Sequence, residues 1–374
     1  MHSASIGSRR PRGSILIVML VTLAILGALA AGSFFAAFHE ERIGSAAMLR
    51  VRALAAAEHA AYTAISPLHW RADWNLARPV RLVASDSETL PGRASGTAQI
   101  WKLTPFSALV IADGSAGSPP RSAHRRISLL VALQRPVMPT LAAAIARSGV
   151  SVTDGSSITG SADTLSDDCL TADSGIAAVS VPPGVSVDTA ACGSVPCLLG
   201  TPPVRDTILA ALPKTSERFG QVDRSFLATI GRQLTNSELS PTPIIDAHGE
   251  CDASAQANLG DPLRLLGSDS PCFAFFPLVH AEGDLRLSGG AGQGMLVVDG
   301  SLTLAEGARF TGVLLVRGTA RLEGHARLDG IVLADRVSLA GESEVRYSAC
   351  AVANAARSGA RPSPEESHSW AEMF

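Results

Sequence analysis

Few residues in this chain have the types and spacing that chemistry requires. Asp246, His248 and Glu250 place three metal-ligand types within a short stretch. Nothing distant in the chain completes a coordination set around them, and a polar loop explains them equally well. Gly289, Gly290, Gly292 and Gly294 form a run as glycine-dense as a phosphate-cradling loop. A dinucleotide fingerprint must lead from a strand into a helix. Here Leu285-Arg286-Leu287 leads in and the strand-like Met295-Leu296-Val297-Val298 leads out, so the run reads as a turn between strands. Glu306, Glu323, Asp329 and Asp335 are too dispersed to serve as an acid/base pair, and no G-x-S-x-G elbow, P-loop or H-E-x-x-H occurs. No catalytic residue, metal ligand or cofactor site is therefore expected, and the chain reads as a non-enzyme.

The cysteines carry a different chemistry. Cys169, Cys192, Cys197, Cys251, Cys272 and Cys350 all lie beyond residue 160. An even number in an oxidising compartment points to disulfides, with up to about 15 pairings open. Cys192 with Cys197, across a Gly-Ser-Val-Pro turn, and Cys251 with Cys272, bracketing a polar loop, are the favoured bridges. The C-x-x-C spacing of zinc ribbons and redox sites is absent.

The charge balance, 31 basic against 34 acidic residues, gives a formal charge of −3 and no basic face for nucleic acid. With charged residues scarce and 34 glycines and 22 prolines, the composition suits turn-rich β-structure.

The elements that would position these residues begin with a helix. Arg9, Arg10 and Arg12 precede Gly13, and no charge follows until Glu40, Glu41 and Arg42. An uncharged run of about 25 residues rises roughly 37 Å as a helix, enough to cross a ~30 Å hydrocarbon layer. The flanking charges place the N-terminus in the cytoplasm and everything beyond Phe38 on the exported side. The helical pattern then continues, with Ile43, Ala47, Val51, Leu54, Ala61 and Ile65 on one face, until Pro67. Residues 1–13 are thus a basic leader and 14–66 a transmembrane and amphipathic stalk helix. Two plainer readings of the segment stay open: a secretory signal cut near Ala28-Leu29-Ala30, and a simple anchor.

The leader RRPRG, the apolar SILIVMLVTLAIL that follows it, then HEERIG and AAAEHA resemble the N-terminal region of PilX-type minor pilins of type IV pili. The resemblance covers roughly the first 65 residues. It implies cleavage by a prepilin peptidase between Gly13 and Ser14, an apolar helix packed among other pilins, and an inner-membrane, single-pass precursor whose C-terminal region is periplasmic or extracellular in a filament. Major pilins carry a glutamate a few residues into the mature helix, where this chain has Val18.

Residues 67–147 read as pilin-like antiparallel strands (80–84, 96–114 and 125–133) followed by a short alanine-rich helix, Thr140 to Ala146. Residues 148–204 read as β-rich coils, 205–240 as a helical insertion, and 241–278 as the disulfide-flanked loop. Residues 279–353 hold an internal repeat: Gly294, Gly312 and Gly330 recur at an interval of 18, as do Met295, Val313 and Ile331, and Val297, Leu315 and Leu333. Leu287, Leu304 and Leu322 keep nearly the same phase. Apolar columns at fixed phase mark a parallel β-solenoid, here of about four coils. Asp299, Arg317 and Asp335 share the interval and would form a surface charge ladder. Residues 354–374 read as a disordered tail.

The fold class expected is α+β, mostly β. The function expected is a structural component of a type IV pilus or related secretion filament, acting in assembly or initiation near the tip. A membrane-anchored surface binding or adhesion protein is the alternative, and a secreted carbohydrate-active β-helix enzyme a weaker one.

Overall fold

A computed structural model describes residues 14–66, 81–91, 93–104, 106–134, 136–139, 141–160, 175–192, 196–206, 218–219, 222–364 and 370–373. Helix α1 (Ser14–Ile65) runs for 52 residues without a break. Alanine, leucine and other good helix formers dominate it, and no proline interrupts it. From Leu16 to Phe38 its apolar side chains are exposed. By length and composition this portion can cross a membrane.

The second half of α1 lies across an antiparallel sheet of β1 (Arg81–Leu90), β2 (Ala94–Thr104), β3 (Ser107–Ser118) and β4 (Arg121–Gln134). Inward positions alternate along β2, β3 and β4, as the two-residue period requires. Val110 and Ala112 on β3 and Ile127, Leu129 and Val131 on β4 are buried under the helix. The expected helix stripe is partly wrong. Ala61 and Ile65 are buried, but Ile43 and Val51 are 68% and 67% exposed, and the seam is made by Ala53, Ala56, Ala57, Ala60 and Ala64. Backbone proximity is the reason. A Cβ on Gly96 would strike the Ala56 carbonyl and the Ala60 methyl, and one on Gly114 the backbone of Ala53 and Ala57. Over these two glycines only alanines fit, and Ile43 and Val51 are left outside.

The remainder is a parallel stack. Its strands are β5 (Ala142–Val152), β6 (Ser157–Thr159), β7 (Ala177–Val181), β8 (Val187–Asp188), β9 (Leu198–Leu199) and β10 (Val204–Asp206), and then, beyond a two-stranded ribbon of β11 (Arg218–Phe219) and β12 (Val222–Asp223), β13 (Arg232–Leu234), β14 (Glu238–Leu239), β15 (Leu278–Ala281), β16 (Leu285–Ser288), β17 (Ala291–Val298), β18 (Leu302–Ala305), β19 (Arg309–Val316), β20 (Thr319–Leu322), β21 (Arg327–Leu339) and β22 (Glu344–Arg346). The 18-residue columns meet in register: Gly294 pairs with Gly312 and Gly312 with Gly330, Met295 with Val313 and Ile331, Val297 with Leu315 and Leu333. Leu287, Leu304 and Leu322 pair likewise, and Leu339 extends the column. All four leucines are buried.

The stack is larger than the repeat alone, and the chain enters it twice. One ladder runs β13-β15-β17-β19-β21-β5-β7-β10. The chain first winds outward from β5 to β10, reappears at the far end as β13, and winds back until β21 docks on β5. Ser151 and Ser338, 187 residues apart, share a hydrogen bond across that junction.

Three expectations need correcting. The alanine-rich 140–146 segment is not a helix; Ala142 to Ala146 begin β5 and are all buried. A strand covered on both faces is a continuous apolar run, which periodicity cannot separate from a short helix. Within 205–240 the described helix is only α2 (Arg224–Ile230), N-capped by Asp223, while the 207–213 part of the expected insertion lies outside the described residues. The end of the chain is not a disordered tail where it is described. Helix α3 (Ala349–Ser358) packs on β17, β19 and β21, and β23 (Arg361–Pro364) and β24 (Trp370–Met373) add to the outer edge of β4. Covering that edge removes a row of unpaired backbone groups. Leu296, Leu314 and Val332 are as dry as Met295, Val313 and Ile331, so both faces of these three strands are covered.

Candidate functional site

The residues singled out by type do not converge. Gly13 lies outside the described residues, and Ser14 is the first residue of α1. Cys192 is bonded to Cys197 and Cys251 to Cys272, with Cα separations of 5.8 and 5.0 Å. Cys350 is also disulfide-bonded; Cys169 lies outside the described residues. Asp246 accepts from the backbone N–H groups of His248 (2.8 Å) and Glu250 (2.9 Å), so the cluster is a side-chain-capped turn open to water. Gly289 and Gly290 form a corner and β17 follows, with no helix whose N-terminus could hold a phosphate. Among the described residues, no group of three or more His, Cys, Asp and Glu side chains is placed to hold a metal ion.

The acidic residues are taken up by arginines. Arg286 meets Glu306 and Glu323 at 3.4 and 3.3 Å. Asp329 meets Arg327 and Arg346, each at 3.0 Å, and Asp335 accepts from the Ser148 hydroxyl at 2.9 Å. Asp299 does not stand in a surface ladder. It pairs with Arg224 of α2 and with His280 Nε2 (3.1 Å), both buried. The Gln233 amide nitrogen stands 2.8 Å from His280 Nδ1, on the opposite side of the ring from Asp299. Burial would raise the Asp299 carboxyl, but hydrogen bonds from His280 and Arg224 outweigh it and hold the group below the usual carboxylate range. The network ties α2 to two successive coils. Its members sit far apart in sequence, so spacing gave no signal for it.

A second polar cluster builds the loop between β14 and β15. Arg232, held below the usual arginine range by burial, donates to the carbonyls of Ala253, Ala255 and Asn258. Asn258, itself buried, donates to the carbonyls of Ile244 and Asp252. Beyond the disulfide, the buried Asp261 carboxylate accepts from the N–H groups of Leu265 (2.7 Å) and Leu266 (3.0 Å) and from the Ser270 hydroxyl (2.7 Å). The loop covers the edge of β17, since Ala291 N–H donates to Pro241 and Gln293 N–H to Leu259. Its tip nevertheless presents Leu263, Leu265 and Leu266 to solvent.

Among the described residues, most of the large exposed apolar side chains lie on α1. Beyond the membrane-length portion, Ile43, Met48, Val51 and Tyr62 stay outward while the alanine face is locked to the sheet. Between the helix and the β1–β2 turn lies a groove of about 450 Å³, lined by residues that include Arg52, Ala55, His59, Leu90, Pro91 and Ala94.

No family model and no curated protein matches the chain. Among solved structures, it is similar to the crystal structure of the competence-associated pilin ComZ from Thermus thermophilus, at 13% identity over 87% of this chain and 96% of that one, with a TM-score of 0.23. A score of that size does not establish a shared fold.

Proposed function

We propose that this protein is a non-enzymatic, membrane-anchored subunit of a type IV pilus or related secretion filament, a PilX-like minor pilin that acts in assembly or initiation near the tip. The observation that carries the reading is α1: one unbroken helix whose first half is membrane-length and wholly uncovered, and whose second half is locked to a sheet through an alanine seam. A plain anchor needs no rigid continuation into the exported domain, whereas a subunit that transmits helix packing to its head does. The leader RRPRG abutting the helix supports processing between Gly13 and Ser14. In a packed core of apolar helices each mature amine needs a negative partner, and Val18 supplies none to the subunit ahead. A subunit with none ahead of it loses nothing, which favours the tip.

N-terminal sequencing of the membrane-purified protein tests the reading. Loss of the leader through Gly13 supports it, and Gly13→Leu should block that loss in a host carrying the peptidase. A mature N-terminus near residue 30 would make the segment a secretory signal, and an intact Met1 would leave a simple anchor.

A further inference from the structure

The end of the antiparallel sheet that lies toward the membrane-length half of α1 is basic. Its direction follows from the packing: Gly114 of β3 sits on Ala53 and Ala57, and Gly117, next to the β3–β4 turn, sits beside Leu49. The β1–β2 turn adjoins it, because the Gly117 N–H donates to the Arg93 carbonyl (3.1 Å) and the Arg93 guanidinium to the Ser118 hydroxyl (3.4 Å). The two turns carry Arg93 and Arg121, and α1 adds Arg50 and Arg52, all four exposed. Among the described residues none of the four stands within ion-pair distance of a carboxylate, whereas Arg126, further along β4, is held by Asp113 at 2.6 Å. Asp113 is also the sole acid between residues 90 and 126, a segment with four arginines and Lys102.

Helix α1 is polarised in the same sense where its apolar run ends. At 3.6 residues per turn, Arg42 falls within about 20° of Ala53, in the row that faces the sheet, while Glu40 and Glu41 lie about 140° and 120° round the helix. Arg42 also stacks on the Phe38 ring at 4.6 Å, which holds its charge at the edge of the apolar run. From Phe38 to Leu49 the helix rises roughly 16 Å. A headgroup layer of ~5–7 Å leaves a gap of about 10 Å, close to one screening length at physiological salt. A lean of about 20°, the average for a membrane span, toward the sheet side narrows that gap to what an arginine side chain can cross.

We propose that the exported domain rests this end of its sheet on the anionic phospholipid headgroups of the bilayer that α1 spans, with α1 leaning toward the sheet. Arg50, Arg93 and Arg121 face the lipid phosphates, and Arg42 marks the level at which the helix emerges. Glu40 and Glu41 face away from the contact, so they do not oppose it. The proposal rests on the membrane-anchored reading of α1 and goes beyond it, and it holds whether or not the leader is cut or a filament forms.

The test uses the full chain in mixed phosphatidylcholine/phosphatidylglycerol vesicles, with the photo-crosslinking residue p-benzoylphenylalanine in place of Ser122, and with one lipid or the other tritiated. The expected result is labelling that favours phosphatidylglycerol well beyond its share of the lipid. Arg93→Gln and Arg121→Gln should each lower that preference by about fivefold, the equivalent of about 1 kcal/mol for an arginine at an anionic surface. Lysine at both positions should keep it, since a point charge suffices. Raising salt from about 0.1 M to about 1 M, which shortens the screening length from ~10 to ~3 Å, should remove it. The same probe in place of Phe106, in the β2–β3 turn at the opposite end of the sheet, should label neither lipid. Labelling in proportion to lipid amounts, a preference that survives high salt, or equal labelling from position 106 would each overturn the proposal. So would a crosslink to a second copy or, in cell membranes, to another protein in place of lipid. Flotation of the vesicles after carbonate extraction reports separately on the anchor: a chain that floats yet labels both lipids alike keeps the anchor and loses the docking.

Discussion

Gly312 and Gly307 are both left-handed, with φ of 139° and 72°, yet they should respond differently to the same substitution. A methyl at Gly307 meets nothing within 4 Å. Gly307→Ala therefore costs only the left-handed conformation of a non-glycine residue, about 1–2 kcal/mol, less a few tenths returned by a stiffer unfolded chain. At Gly312 the methyl would overlap the Gly294 carbonyl and come within 3.1 Å of the Ala355 Cβ. Gly330 stacks on Gly312 from the other side, so the backbone cannot shift toward the next coil. Backbone strain of about 1–3 kcal/mol adds to overpacking of about 1–3 kcal/mol, giving roughly 2–6 kcal/mol against the ~5–15 kcal/mol of a typical domain. Urea titration of the detergent-solubilised chain, followed by far-UV circular dichroism and by protease cleavage within 279–346, should show a midpoint shift for Gly312→Ala several times that for Gly307→Ala. Equal shifts, or a larger one for Gly307→Ala, would refute the stacked-glycine reasoning.

Leu315→Asp removes a fully buried column residue and leaves a carboxylate between Val297 and Leu333. The lost burial of about 1.5–3 kcal/mol and several more for the unpaired charge should leave the stack protease-sensitive, while Arg317→Asp, two residues on and exposed, should change stability by no more than about 1 kcal/mol; comparable sensitivity would contradict the register. Asp299→Asn strips the buried Arg224 of its carboxylate and should cost about 2–4 kcal/mol at neutral pH, reduced from the fully buried case by the 28% exposure of Asp299. Because the folded carboxyl lies below its ordinary value, its stabilisation is complete above that value and is lost as pH falls through the folded one. The unfolding midpoint of the wild type should therefore drop more steeply below about pH 4 than that of the variant, and parallel curves would remove Asp299 from the account.

Some of this architecture follows from local sequence alone. A run of uncharged residues from Ser14 to Phe38 has no low-energy state in water except a covered one, so its length and composition determine a membrane-length helix. The 18-residue columns determine stacking, because residues that recur at one phase can be buried together only by coils of that length. Which face α1 buries was not legible, because hydrophobicity ranks Ile43 and Val51 above alanine. Only the assembled sheet, with Gly96 and Gly114 beneath the helix, makes side-chain size the deciding quantity. The strand identity of Ala142 to Ala146 likewise depends on β21 and β7 lying on either side, contacts supplied from elsewhere in the chain. The Arg224–Asp299–His280 network and the double entry into the stack were hidden for the same reason. Local patterns specify an element's type, while the partner that covers it is set by a backbone path closing across as many as 243 residues, as where Ser128 meets Ala371.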